Sequence, residues 1–207
     1  EILTHIRHSE KVFTMKRLLL ILILTFSLQS LTKADDIRDF EIEGMSIDSS
    51  LLDKYSLYEI KKKINDEDSF YYKDNRYLDI FFKLENSNYE WVQITIKPKD
   101  KKFIIYSIGG QIDYIENIEK CYIDMKNIFS NIKENFKPQR FEENVKITHT
   151  FDKTGNSKAI YSRLFYQKGL INIECYDWSN KLSYTDKLLV SVMSSEFRNF
   201  INNEAYE

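Results

Sequence analysis

Apolar and polar residues alternate along several stretches of the chain, the mark of half-buried strands. In residues 77–84, Leu78, Ile80, Phe82 and Leu84 share one face; in 89–97, Val92, Ile94 and Ile96 do; in 103–114, Ile104, Tyr106 and Ile108 do. The connections are short and polar, which predicts an antiparallel meander, and Gly109-Gly110 predicts a bend or bulge in its third strand. The pattern then lengthens to helical spacing over 115–136, where Ile118, Tyr122, Met125, Ile128, Phe129, Ile132 and Phe136 form one stripe that Lys137-Pro138 ends. A second strand set follows at 145–151, 157–166, 170–176 and 188–193, with a hairpin turn at Asp152-Lys-Thr-Gly155. Ser194 or Ser195 caps a closing helix whose stripe is Phe197, Phe200, Ile201 and Ala205. Before the first meander, residues 40–43 alternate as a short strand, residues 50–55 make a helical turn, and Ser56 with Glu59 has the capping-box spacing of a helix through Ile64.

Strands come in runs, not singly between helices. That order predicts an α+β domain: an antiparallel sheet built from two three-stranded meanders, with a long central helix and short N- and C-terminal helices packed on it.

The N-terminal segment changes the picture of where this domain begins. Met15 is followed by Lys16-Arg17, an eleven-residue apolar run over 18–28, and a polar stretch ending in Ala34. Charge, apolar run and a small residue make a secretory signal peptide over 15–34. Eleven apolar residues fall short of the roughly 20 that a spanning helix needs, so no membrane span is expected after cleavage. Residues 1–14 read as sequence upstream of the true start or as a disordered extension, and 35–207 as a single domain, periplasmic or secreted. Of the 30 basic and 32 acidic residues, five and two precede Asp35, which leaves 25 against 30, a net charge of −5. That balance argues against a nucleic-acid partner, which favours a basic face.

Cys121 and Cys175 both fall in the expected exported part, where an oxidising compartment favours a disulfide. Cys121 lies beside the helix stripe, and Cys175 shares a strand face with Ile171 and Ile173. The residues allow either a disulfide or two buried free thiols.

No catalytic or cofactor motif is legible. The chain lacks a nucleophile elbow, a zincin helix motif, a phosphate loop and a dinucleotide glycine pattern. One histidine, His149, follows Asp35 and fits a partly buried strand position. No cofactor or metal is implied. What stands out is the aromatic load, 14 Tyr and 14 Phe, several of them opposite the apolar strand faces. Tyr77, Phe81, Trp91, Tyr176 and Trp178 form a candidate binding surface if helices cover only the other face, and a second core if chain segments cover both.

Four strings, Ile42-Glu-Gly-Met-Ser-Ile47 with Ser50-Leu-Leu, Ile118-Glu-Lys-Cys-Tyr122, Cys175-Tyr-Asp-Trp-Ser179 and Asn203-Glu-Ala-Tyr206, resemble a family of small exported proteins from Pelagibacter-like marine bacteria. The resemblance implies compartment and source; the family has no assigned function, and it carries Gly where this chain has Asp48. The function expected is therefore a non-enzymatic exported binding or adaptor module for a protein, peptide or glycan. The alternatives are an envelope-polymer hydrolase with a carboxylate pair and a carrier of a small apolar ligand.

Overall fold

The computed structural model describes residues 36–115, 117–150 and 152–205. The expected upstream segment and signal peptide lie outside them. The described residues form an α+β fold with one eight-stranded antiparallel sheet and three α-helices. The strands are β1 (Phe70–Tyr71), β2 (Leu78–Lys83), β3 (Trp91–Ile96), β4 (Ile105–Asp113), β5 (Arg140–Thr148), β6 (Lys158–Tyr166), β7 (Gly169–Asp177) and β8 (Lys187–Ser194). Their order is β1-β2-β3-β4-β8-β7-β6-β5, so each half is a run of four neighbouring strands, and the last strand of one half pairs with the last of the other. The helices are α1 (Leu57–Ile64), α2 (Ile118–Asn135) and α3 (Ser195–Asn203).

Alternation assigns the two sheet faces. Along β7, Ile171, Ile173 and Cys175 point one way; their neighbours Leu164, Ser162 and Ile160 on β6, and Val192, Val190 and Leu188 on β8, point with them. Helix α2 covers this first face with Cys121, Met125, Ile128, Phe129 and Ile132, all buried. Each such side chain contributes on the order of 1.5–3 kcal/mol when withdrawn from water. The Cys121–Cys175 disulfide fastens α2 to β7, with the two Cα atoms 6.1 Å apart.

Over β2, β3 and β4 the first face is covered by the segment before α1 and by α1 itself, which bury Ile42, Met45, Ile47, Leu51 and Ile60, while Ile37 is buried beside β7 and Phe40 against Phe136. The strand expected at 40–43 is a tight turn instead, because Ile42 pairs with Met45 across Glu43 and Gly44, both at positive φ. Asp48 also adopts the left-handed conformation that favours glycine, with φ 67°. The amide of Asp48 donates to the Ile105 carbonyl, which ties this turn to the start of β4. The Ser56 capping box forms as its spacing dictates: Ser56 Oγ accepts from the Glu59 amide and Glu59 Oε2 accepts from the Ser56 amide.

The glycine pair does not break β4. Both residues stay in the ladder, Gly109 opposite Ser191 and Gly110 opposite Val190. A side chain at Gly110 would collide with the Tyr89 ring, 2.4 Å from its nearest atom, so the glycine provides room on the first face. The irregularity falls at Tyr106, which the pairings of Thr95 with Ser107 and Ile96 with Ile105 leave as the extra residue. Tyr106 therefore turns to the second face, away from Ile108, with which simple alternation had grouped it.

Helix α3 covers one end of that second face. Phe197 and Phe200 pack with Tyr77, Tyr106 and Met193. Tyr77, expected on an exposed surface, is 1% exposed and belongs to this small core. Its hydroxyl and Lys97 Nζ both donate to Glu196 Oε1, at 2.9 and 2.6 Å, which pins the first turn of α3 to the sheet.

Candidate binding face

Away from α3, the second face is polar and aromatic. Cross-strand register arranges its side chains in rows perpendicular to the strands. One row runs Lys83, Trp91, Gln111, Leu189, Glu174, Tyr161; the row on one side begins Asp113, Lys187, Tyr176, Ala159, and the row on the other runs Phe81, Gln93, Gly109, Ser191, Asn172, Arg163. Gly109 leaves the middle of the last row without a side chain, its Cβ position lying 3.0 Å from Leu189 and 3.1 Å from Ser191.

Four of the five aromatics singled out from the sequence reach this face or its margin. Phe81 and Trp91 lie on neighbouring strands β2 and β3, both partly exposed, and Lys83 Nζ sits 5.7 Å from the centre of the Trp91 ring. Tyr176 and Trp178 stack near-parallel at 5.8 Å. The Trp178 ring is also 4.5 Å from His149 and 5.0 Å from Tyr184, so His149 is part of an aromatic cluster. The two groups stand at opposite sides of the open area, with β4 and β8 between them. Tyr77 is not among them, for the reason given above.

Hydrogen bonds order the polar side chains between these groups. Glu174 Oε2 accepts from Tyr176 Oη at 3.1 Å and from Asn172 Nδ2 at 3.0 Å. Arg163 Nε donates to Asn172 Oδ1 at 3.0 Å while its guanidinium lies 3.8 Å over the Tyr161 ring. Lys187 Nζ donates to Gln111 Oε1 at 3.1 Å, and Gln111 Nε2 donates to Asp113 Oδ1 at 2.7 Å. Asn172 and Glu174 are only 6% and 8% exposed, so this network lies deep in the face. Buried polar side chains fixed by mutual hydrogen bonds are rigid and specific.

Burial also sets the electrostatics. It pushes the Lys187 ammonium below its ordinary value, partly opposed by Asp113. It pushes the Tyr176 hydroxyl well up, helped by the Glu174 charge. Among the described residues neither Lys187 nor Arg163 makes an ion pair. At the edge under α3, burial raises the Asp79 carboxyl, while Thr95, Tyr72 and Gln93 donate to it at 2.5, 2.8 and 2.6 Å. Among the described residues no group of three or more His, Cys, Asp or Glu side chains could hold a metal ion, and no helix is long and apolar enough to cross a membrane.

The sequence pointed to the aromatics and missed Asn172, Glu174, Lys187, Arg163 and Gln111. The signal was present in β7, where Leu170, Asn172, Glu174 and Tyr176 alternate with the apolar Ile171, Ile173 and Cys175. A comparison with protein-family models, curated proteins and solved structures finds no match for this chain.

Proposed function

We propose that this protein is an exported, non-enzymatic binding module that engages its ligand through the open part of the second sheet face. The observation that carries the reading is the contrast between the two faces: the first is covered by apolar side chains along its central strands, whereas the second, beyond α3, presents partly exposed rings around pre-ordered polar groups. Export is supported by the charged, apolar and small-residue succession over 15–34 and by the Cys121–Cys175 disulfide, a bond that persists in oxidising compartments. The hydrolase reading ranks second. It needs two carboxyls roughly 5–9.5 Å apart; of the two raised carboxyls among the described residues, Asp79 is engaged by three donors and lies four strands from Glu174, and Asp186, raised by burial and by the Asp177 charge, accepts from the Trp178 amide at 2.7 Å outside the open face.

A photo-crosslinking amino acid placed at Trp91 in cells expressing the full chain tests the proposal. Light-dependent adducts from position 91, and none from the same residue placed at the exposed Tyr58 on α1, are expected. Equal or absent labelling at the two positions would refute it.

A further inference from the structure

Resting on the binding-module reading, we propose that the ligand of the second face is a neutral oligosaccharide lying across the strands from Trp91 toward Tyr161 and the Tyr176–Trp178 stack. Three features of the face select this chemistry. The first is what lies at its middle. A protein partner is met by an interface core that is apolar and depleted of charge, whereas the centre here has a polar floor of Glu174, Asn172 and Ser191 beneath the partly exposed Gln111 and Lys187, with Leu189 the one large apolar side chain among them.

The second is the pairing of spare donors with spare acceptors. Among the described residues, Lys187 Nζ, with three hydrogens, makes one hydrogen bond; Arg163 uses Nε and leaves its terminal nitrogens without a hydrogen-bond partner; and Glu174 receives both of its bonds on Oε2 and none on Oε1. A sugar hydroxyl both donates and accepts, and a row of hydroxyls is complementary to such an interleaved set. Charge complementarity points the same way. The three rows carry Lys83, Lys187 and Arg163 against Asp113 and Glu174, a surplus of one cation at the Trp91 end, so the face offers only a weak net field to concentrate an ion of either sign.

The third is the placement of the rings. Aromatic rings present an apolar body with a polar tip, suited to the apolar flank of a pyranose, and they stand at the two ends of the polar stretch. From Trp91 on β3 to Tyr161 on β6 is four inter-strand steps, or about 19 Å at roughly 4.8 Å each. That span calls for a short chain of sugars in preference to a single one.

Both tryptophans of the chain, Trp91 and Trp178, are on or beside this face, so intrinsic fluorescence reports on it directly. The full chain is titrated with cellotetraose, chitotetraose, maltotetraose and mannotetraose, and in parallel with an alginate tetramer and an acidic tetrapeptide. A saturable change with at least one neutral tetrasaccharide is expected, weakened tenfold or more in Tyr161→Ala and in Gln111→Ala and unchanged in Tyr58→Ala. Circular dichroism of each variant establishes that it is folded. A response to the alginate tetramer or the peptide alone overturns the inference, as does no response to any probe. The crosslinking test then separates the two readings: a polypeptide adduct at position 91 removes the sugar ligand but leaves the binding module standing, while no adduct there together with no response to any probe removes both.

Discussion

Replacing both Cys121 and Cys175 by alanine puts the most direct number on the architecture. The bond joins residues 54 apart and closes a loop that contains most of α2 together with all of β5 and β6. In the chain-entropy description, cross-linking a loop of that size removes about 14 cal/mol/K from the unfolded ensemble, or about 4 kcal/mol at 25 °C. The folded state changes less, because α2 is also held by Met125, Ile128, Phe129 and Ile132. Both cysteines are fully buried, so each alanine leaves a small void that adds to the loss. Urea unfolding followed by circular dichroism measures the total. With a slope of about 2 kcal/mol/M, the midpoint should fall by about 2 M in the double variant, and wild type under dithiothreitol should approach the same value. A shift below about 0.5 M at unchanged slope would refute the reasoning, since it would mean that the reduced unfolded chain already keeps α2 near β7.

Two further outcomes follow from the geometry. In Gly169→Ala the new Cβ would lie 2.1 Å from the Met193 carbonyl oxygen, a backbone atom that cannot swing aside; a loss of about 1–3 kcal/mol is expected from urea midpoints, and a loss below 0.5 kcal/mol would show that β7 and β8 separate easily there. Burial alone would raise the Glu196 carboxyl, but hydrogen bonds from Lys97 and Tyr77 bring it below its ordinary 4.5, so its contribution to holding α3 is present above that value and lost as pH falls through the lowered one. Amide exchange at Phe197 and Phe200 should therefore quicken relative to the β7 core on acidification, and Glu196→Gln should flatten that dependence.

The strands and helices were legible because their patterns are local. Period-two alternation marked β2, β3, β6, β7 and β8 to within a residue or two, and the Ser56–Glu59 pair and the long apolar stripe marked α1 and α2. The two-residue strand β1 has too few positions to show a period, and the first part of β5, Arg140–Asn144, is a charged edge where burial imposes no alternation. Tyr77 and Phe81 look alike in sequence, each on the parity opposite Leu78 and Ile80. Only the landing point of α3 divides them, burying one and leaving the other partly exposed, and that depends on a contact more than a hundred residues away. The same limit hid the polar network, because Arg163, Asn172, Glu174, Lys187 and Gln111 come from four strands whose register no local window specifies.

The position of β8 carries a consequence for how the molecule is made. Its partners on β4 precede it by about 80 residues, as in the pairing of Ser107 with Met193. As the chain is delivered from its N-terminal end, the β1–β4 half is available early, yet the inner edge of β4 stays unsatisfied until α2, β5, β6 and β7 have followed. An open, apolar strand edge of that kind invites pairing with a second nascent copy. The closing strand and α3 then arrive within 17 residues of each other and seal the edge and the Tyr77 cluster almost together. Removing the last 20 residues should therefore leave not a smaller stable domain but two half-sheets that associate between chains.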